Sequence, residues 1–370
     1  MDKRLFFSDF VERDGKIYGC SCNMNMICEI DTVTKMARRL YSFDTAKCIS
    51  NALVARVLDC DGRIIFTPLN ANKIILYNYQ NSTITEVMLR ENTDEMLFVE
   101  ACEDYYNQCV FLFGYEYPAI LKLDIITSLF EFIPIRNDDH PDIGYERQGV
   151  NGFYFGRGCL LNKKKFFLVS GKNKTICCFD TEKCSPEYIM INNGFKNYRT
   201  ISMYNDSILL TSRKREKSII LLDLNTLAER RLNTSYMALW HTPIVYRNDI
   251  YLFPENAGSH ILQITGENYE CHVFSELDKL LAGYSNYNSG VISVKLYGDK
   301  VIFIREADKC WITYDFISNT VEEAYYEIQD EDFYKRYESE RFDEVYKDMS
   351  LRKEFFDERI LPLEEYIKRI

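Results

Sequence analysis

Residues 14–19 read DGKIYG, a turn followed by a short apolar strand, and the chain then reads ID at residues 30–31. The same order of turn, apolar strand and apolar residue before Asp or Asn returns in DGRIIF at residues 61–66, which YN follows at residues 77–78. It returns again in NDSILL at residues 205–210. Self-similarity of this kind is the sequence signature of repeat architectures.

Seven copies of this pattern can be aligned through the polar residue that ends each of them. These marker residues are Asp31, Asn78, Asp124, Asp180, Asp223, Gln263 and Asp315, at spacings of 40 to 56 residues. Each copy also has an apolar run before its turn and another strand after its marker, as in LVARV at residues 53–57 and LFEFI at residues 129–133. Four strands repeated seven times predict an all-β fold, a seven-bladed β-propeller of four-stranded antiparallel blades, over residues 1–328.

The marker residues stand where the third strand of a blade turns into the fourth. An Asp side chain at that point can accept backbone N–H bonds in an Asx-turn. We therefore interpret the markers as structural residues and not as paired catalytic acids. The sixth copy is the weakest, because Gln263 stands where the other copies have a shorter Asp or Asn.

This organisation resembles the β-propellers of the kelch and WD40 kind, over about residues 8 to 328. The resemblance is one of architecture, because the Gly-Gly pair of kelch repeats and the Gly-His and Trp-Asp pairs of WD40 repeats are absent. It implies a repeat protein that serves as a scaffold or as an enzyme, and it carries over no functional residue.

Residues 329–370 differ from the rest of the chain, with 13 acidic residues, 9 basic residues and no Gly. Apolar residues recur there at steps of three and four, which predicts a charged amphipathic α-helical tail. They include Phe333, Tyr337, Phe342, Val345, Tyr346 and Met349. The tail is either an appendage packed on the propeller or a helix for partner docking or self-association.

Composition and charge argue against several classes of function. The formal net charge of −11 disfavours nucleic-acid binding and docking on an anionic membrane. No run approaches the roughly 18 apolar residues of a membrane span, and no signal peptide is recognisable, so we expect a cytoplasmic protein. The 13 Cys are expected to be reduced thiols. Cys20, Cys22 and Cys28 lack the paired spacing of a zinc site, and we predict neither a metal nor a cofactor.

A ligand is expected on the face that carries the loops between blades and between second and third strands. Basic residues concentrate in copies four and five although the chain is acidic, and aromatic residues recur beside amide side chains. Arginine recognises carboxylate or phosphate, and aromatic faces stack on sugars. The candidate ligand-binding residues are Tyr115, Tyr117, Lys172, Arg199, Arg213, Arg215, Trp240, His241, Tyr287 and Asn288.

These features predict a non-catalytic binding or interaction module, for a small anionic or carbohydrate ligand or for a protein partner. No H-E-x-x-H, G-x-S-x-G or P-loop motif is present, so no catalytic residue is assigned. The alternative is a carbohydrate-active hydrolase or lyase with its site at the channel mouth. Arg199, His241 and Glu116 are the groups to test for that activity, because acid and base must reach one substrate.

Overall fold

The structure is a computed structural model that describes residues 4–328, except 23, 44–52, 61, 90–96, 105–106, 136–145, 148–149, 152, 161–163, 173, 193, 196, 256–257 and 283–289. Within them, seven four-stranded antiparallel sheets follow one another along the chain, which confirms the predicted seven-bladed β-propeller. The predicted helical tail at residues 329–370 lies outside the described residues.

Each blade pairs its four strands in chain order, with the first strand at the central channel. Blade 1 contains β1 (Phe7–Arg13), β2 (Lys16–Ser21), β3 (Met26–Asp31) and β4 (Ala37–Ser42). Blade 2 contains β5 (Val54–Cys60), β6 (Arg63–Pro68), β7 (Lys73–Asn78) and β8 (Thr83–Met88). Blade 3 contains β9 (Phe98–Asp104), β10 (Cys109–Gly114), β11 (Ala119–Asp124) and β12 (Phe130–Pro134).

Two short insertions occur among the remaining four blades. The insertions are a hairpin of β13 (Glu146–Arg147) and β14 (Val150–Asn151) before blade 4, and helix α1 (Ser275–Ala282) before blade 7. Blade 4 contains β15 (Phe155–Leu160), β16 (Lys165–Ser170), β17 (Thr175–Asp180) and β18 (Ser185–Met190), and blade 5 contains β19 (Tyr198–Tyr204), β20 (Ser207–Ser212), β21 (Glu216–Asp223) and β22 (Glu229–Ala238). Blade 6 contains β23 (Ile244–Tyr246), β24 (Asp249–Leu252), β25 (Leu262–Thr265) and β26 (Glu270–Val273), and blade 7 contains β27 (Val291–Tyr297), β28 (Lys300–Arg305), β29 (Cys310–Asp315) and β30 (Thr320–Ala324).

The core lies between neighbouring blades, because the second and third strands are buried on both faces. Every residue of β10 is buried, whereas β8 on the rim of blade 2 is mostly exposed. Phe111 of blade 3 packs edge-on against Phe179 of blade 4 at 5.0 Å between ring centroids. This double burial explains why the middle strands read as continuous apolar runs in the sequence.

Six of the seven marker residues form the predicted Asx-turns. Asp31, for example, accepts backbone N–H bonds from Val33 at 3.0 Å and Thr34 at 2.8 Å. The same pair of bonds is present at Asn78, Asp124, Asp180, Asp223 and Asp315. The sixth marker is wrong: Gln263 lies inside β25, and the turn that follows uses Gly266 at a φ of 70°.

The ring closes by side-chain and backbone contacts between blade 7 and the N-terminal residues. Leu5 donates its N–H to Tyr326 O at 2.7 Å and accepts the indole N–H of Trp311 at 2.8 Å. Tyr297 donates its hydroxyl to Phe10 O at 2.8 Å. All four strands of blade 7 therefore come from one contiguous stretch of the chain, and the N-terminal residues brace it.

Candidate functional site

The first strands of the blades surround a cavity of about 680 Å³ at one end of the channel. Every blade contributes to its wall, through Asp9, Arg56, Val99, Arg157, Arg199, His241 and Lys295. Its rim is formed by loops between second and third strands, which supply Leu69, Tyr115, Arg213, Glu255 and Glu306. The cavity therefore opens on the face where the sequence analysis placed a ligand.

A β-bulge brings polar side chains to this wall. In six first strands, the pairing with the second strand shifts by one residue near the third position of the strand. That position is polar in each of them, and the residues are Asp9, Arg56, Glu100, Arg157, Thr200 and Ser293. A bulge changes the direction of the side chains beside it. The shared bulge therefore explains how first strands that bury apolar residues between blades also present polar residues to the channel.

Asp9 is the centre of a buried ion cluster. It is 2% exposed, and its carboxylate accepts from Lys295 Nζ at 2.6 Å, Arg56 Nη1 at 3.1 Å and Val57 N at 2.7 Å. Burial alone would raise the pKa of Asp9, but the charges of Arg56 and Lys295 hold it below its ordinary value. The cluster therefore contains an ionised carboxylate that joins blades 7, 1 and 2.

Glu100 extends the cluster into blades 3 and 4. It is 1% exposed, its Oε1 lies 2.5 Å from Arg56 Nε, and its Oε2 accepts from Gly158 N at 2.9 Å. Arg56 consequently lies between two buried carboxylates, and their charges raise its pKa above the ordinary value despite its burial. The side chains of the cluster are fixed by these mutual bonds, which gives the channel wall a defined shape.

Arg157 differs from its neighbours because no carboxylate of the described residues lies within ion-pair distance of it. Within the part of the chain that the structure describes, its guanidinium donates only to backbone carbonyls, Val99 O at 3.2 Å and Ala55 O at 3.4 Å. Burial lowers the pKa of Arg157, and the neighbouring charge of Arg56 lowers it further. The wall thus presents a guanidinium whose charge the nearby protein compensates only in part.

Arg199, Glu255 and His241 form a second group on the opposite wall. Arg199 donates to both carboxylate oxygens of Glu255, through Nε at 2.9 Å and through Nη2. His241 Nδ1 lies 3.7 Å from Glu255 Oε1, and its Nε2 lies 2.5 Å from Val291 O. Burial lowers the pKa of His241 although Glu255 opposes this shift, so the imidazole is neutral at pH 7 and donates from Nε2 to the Val291 carbonyl.

Substituting His241 with Gln is expected to flatten the loss of stability on acidification. Because burial lowers the pKa of folded His241 below 6.5, the unfolded chain takes up this proton at a higher pH than the folded protein. The free energy of unfolding therefore falls as pH drops below about 6.5, by at most about 1.4 kcal/mol per pH unit from this residue. Urea denaturation from about pH 7.5 to 5.5 measures that slope. His272→Gln, at a side chain that is 60% exposed, should keep the wild-type slope, and an unchanged slope in His241→Gln would refute the assignment.

Arg213 and Tyr115 form one side of the rim of the cavity, and the buried ring of Phe153 packs against both of them. The Arg213 guanidinium lies 3.8 Å from the ring centroid of Phe153 and donates to Tyr115 Oη at 3.3 Å. The rings of Phe153 and Tyr115 are stacked, with centroids 5.5 Å apart. This packing holds a planar cation at the entrance and makes one side of the mouth apolar.

The cavity is positively charged in a chain whose net charge is −11. Its wall and rim carry five cationic side chains, Arg56, Arg157, Arg199, Arg213 and Lys295, against three carboxylates, Asp9, Glu255 and Glu306. A concave site with an excess of one sign of charge concentrates ions of the opposite sign. The arrangement therefore suits an anion. Within the described residues, no group of three or more His, Cys, Asp or Glu side chains is placed to hold a metal ion.

The structure brings four of the ten candidate residues together at the cavity: Tyr115, Arg199, Arg213 and His241. Trp240 is 1% exposed and packs in the core between blades 5 and 6. Tyr117 packs on Phe98 and Phe132, Lys172 lies over the ring of Tyr188, and Arg215 is exposed outside the cavity lining. Glu116 is half-buried and also outside the lining, and Tyr287 and Asn288 lie outside the described residues.

The cavity residues that were not predicted from the sequence are Asp9, Arg56, Glu100, Arg157 and Lys295. A signal was present for the first four, because a polar residue recurs at the third position of the first strands. That recurrence becomes visible only when the copies are aligned on their first strands, which are less regular than the second and third strands around which the repeat was recognised.

No protein-family model and no curated protein sequence matches the chain. Solved structures do match it. A catalytically inactive virginiamycin B lyase from Staphylococcus aureus, with quinupristin, is similar at a TM-score of 0.62 and 15% identity, over 83% of this chain and 94% of that chain. A streptogramin B lyase has a TM-score of 0.61 and 15% identity, over 87% of this chain and 94% of that chain.

This chain shares its fold with these two lyases. It also shares the fold with a chain of the mitotic checkpoint complex, at a TM-score of 0.59 and 9% identity, over 85% of this chain and 90% of that chain. These neighbours have different roles, so the similarity establishes a propeller repeat protein and no activity. It does not single out kelch or WD40 repeats.

Among the described residues, no helix is long and apolar enough to span a membrane.

Proposed function

We propose that this protein is a binding module that holds a small anionic ligand in the cavity at the channel mouth. The observation that carries the proposal is Arg157, a half-buried guanidinium on the cavity wall with backbone carbonyls as its only hydrogen-bond partners among the described residues. A partly desolvated charge without a close counter-charge is costly. A ligand carboxylate or phosphate would supply the missing charge and make the charge-assisted bonds for which arginine is suited.

The size of the cavity and the composition of its rim narrow the ligand class. A volume of about 680 Å³ lies in the range of small-molecule sites. Tyr115 gives the mouth an aromatic side chain next to Arg213. Aromatic side chains at a mouth of this kind stack on sugars and other flat groups. A ligand with one anionic group and a sugar or planar body therefore matches the site better than a simple inorganic ion.

A thermal-shift panel tests this proposal. Purified protein is heated with phosphate, sulfate, citrate, glucose 6-phosphate or glucose, at an ionic strength held constant with sodium chloride. A bound ligand at 100 times its Kd stabilises the folded state by about 2.7 kcal/mol, so we expect a saturable shift with at least one anion and a smaller shift with glucose. No saturable shift with any of the anions would refute an anion site.

An enzyme is the second candidate, because the same cavity contains a neutral imidazole. His241 and Arg199 both contact Glu255, so a base, a cation and a carboxylate are within reach of one bound molecule. A hydrolase or lyase acting on an anionic or carbohydrate substrate would use His241 as the proton acceptor.

Quinupristin, which accompanies the structurally similar lyase, is one direct probe of this second candidate. Chromatography of quinupristin after incubation with the wild-type protein and with His241→Ala measures turnover. Turnover by the wild type that is lost in His241→Ala would establish a lyase. Anion binding without turnover would leave the binding module as the function.

A further inference from the structure

Blades 4 and 5 form a basic sector in an acidic protein. Residues 155–238, which contain both blades, carry 15 basic and 7 acidic residues, whereas the whole chain carries 45 basic and 56 acidic residues. At the end of blade 4 that lies away from the cavity, Lys164 pairs with Glu182 at 2.7 Å. Lys183 lies 3.8 Å from Asp180 at the same end. Part of the positive charge of the sector is therefore compensated there.

The turn between β20 and β21 carries positive charge on the cavity face of blade 5. Residues 213–217 read RKREK, and we call them the basic turn. Lys214, Arg215 and Lys217 are exposed, and no carboxylate of the described residues lies within ion-pair distance of them. The backbone of the turn is fixed, because Lys214 N donates to the Ser212 hydroxyl at 3.1 Å. The basic turn thus presents three solvated cations from a defined backbone.

A wide bulge in the outer strand of blade 5 lies opposite the basic turn. Ser218 of β21 pairs with Asn233 of β22, and the next pair along these strands is Glu216 with Ala238. Residues 234–237, which we call the outer bulge, therefore stand opposite a single residue of β21. In the described parts of the other blades, the outer strand departs from regular pairing by at most one residue. The outer bulge is consequently a feature of blade 5 and not of the repeat.

The outer bulge holds two apolar side chains in solvent. Tyr236 is 36% exposed and Met237 is 55% exposed. The buried Thr234 donates its hydroxyl to Tyr236 O at 2.9 Å, and Asn233 Oδ1 accepts from Ser235 N at 2.8 Å. These bonds fix the backbone of the bulge. Bulges are frequent beside functional sites, and Tyr, Met and Arg are enriched at protein interfaces.

We propose that the basic turn and the outer bulge together form a docking surface for an acidic segment of another protein that also carries an apolar side chain. The cations of the basic turn bind the carboxylates of the segment, and Tyr236 and Met237 contact its apolar side chain. Complementary charge selects an acidic partner. The two features offer one aromatic ring, whereas single-stranded nucleic acid is held by several stacked aromatic side chains. An acidic polypeptide therefore fits this surface better than a nucleic acid.

Fluorescence anisotropy with a labelled synthetic peptide tests this docking surface. The probe is about ten residues long, with Asp and Glu on both sides of one central Phe, because clustered basic residues recognise acidic motifs. The wild type is expected to bind it saturably, and Lys214→Glu with Arg215→Glu to raise its Kd at least about tenfold. Tyr236→Ser with Met237→Ser is expected to raise this Kd about fivefold. The same variant should bind a peptide with Gly in place of Phe as the wild type does.

The matched control is Lys164→Glu with Lys183→Glu, which changes the net charge equally at the other end of blade 4 and should alter the Kd less than about twofold. The docking surface is overturned if this control weakens binding as much as reversal of the basic turn does. It is also overturned if the wild type shows no saturable binding, or binds the Gly and Phe peptides equally. Tighter binding of a single-stranded oligonucleotide of equal charge would overturn it in favour of a nucleic-acid partner.

The docking surface and the cavity can be tested separately. Neither Lys214 nor Arg215 lines the cavity, so Lys214→Glu with Arg215→Glu should keep a saturable thermal shift with small anions. Loss of peptide binding with this shift retained would support the docking surface independently of the proposed function. Loss of both in this variant would show that the basic turn belongs to the anion site, and would overturn a separate docking surface.

Discussion

Replacing Asp9 with alanine lowers the free energy of unfolding by about 3 to 5 kcal/mol, the usual cost of removing one partner from a buried ion pair. Asp9 receives three bonds, from Arg56, Val57 and Lys295. Lys295 has no other carboxylate within ion-pair distance among the described residues, and burial together with the charge of Arg56 already lowers its pKa. Removal of Asp9 therefore leaves two half-buried cations, Arg56 and Lys295, near Arg157, and among the described residues Glu100 is the one carboxylate still paired with either of them.

Urea denaturation of the Asp9→Ala variant measures this loss. Glu131→Ala is the control, because Glu131 is 68% exposed and its ion pair with Lys122 spans 3.6 Å. Such a surface pair contributes about 0 to 1 kcal/mol. The excess positive charge of the Asp9→Ala cavity adds a second expectation: phosphate or sulfate should stabilise this variant more than the wild type at equal ionic strength. A loss below about 1 kcal/mol would show that the cluster is solvated and that its charges are not held apart from water.

The fold could be predicted from the sequence because each blade repeats a local physical requirement. The turn between third and fourth strands needs a short side-chain acceptor, which explains Asp31 and Asp223, and the doubly buried middle strands need continuous apolar runs. The sixth blade departs from that rule, since its turn relies on Gly266 and the predicted marker, Gln263, lies inside β25. Helix α1 was also missed, because its eight residues stand in a segment that the repeat pattern leaves as a connection.

The candidate site could be predicted only in part, because residue type does not tell whether a side chain faces a ligand or a neighbouring blade. Arg199 is the second residue of β19 and Trp240 lies four residues before β23, yet Trp240 is 1% exposed whereas Arg199 lines the cavity. Two predicted loop residues, Tyr115 and Arg213, do line the cavity, because their short loops point towards it. The cluster of Asp9 and Glu100 depends on contacts between blades, which no single copy of the repeat encodes.

Arg157→Met is expected to weaken anion binding at least about 30-fold, because a hydrogen bond to a charged group contributes about 2 kcal/mol or more. Isothermal titration with the anion that gives the largest shift in the panel measures this loss. The same substitution should leave the ligand-free protein as stable as the wild type or raise its free energy of unfolding by about 1 to 2 kcal/mol. The reason is that methionine fills much of the same space and carries no charge, so the repulsion between Arg157 and Arg56 is removed.

These opposite signs separate a ligand-binding role of Arg157 from a structural one. A structural arginine would behave as Asp9 does, and Arg157→Met would then destabilise the protein by several kcal/mol, which would contradict the proposed function. Lys217→Met is the control, since Lys217 is an exposed residue of β21 outside the cavity, and it should change neither binding nor stability. If the ligand-free variant keeps its stability but loses anion binding, the positive charge of Arg157 serves the ligand and not the fold. The carboxylates of Asp9 and Glu100 then limit how much folding free energy this incompletely compensated charge costs.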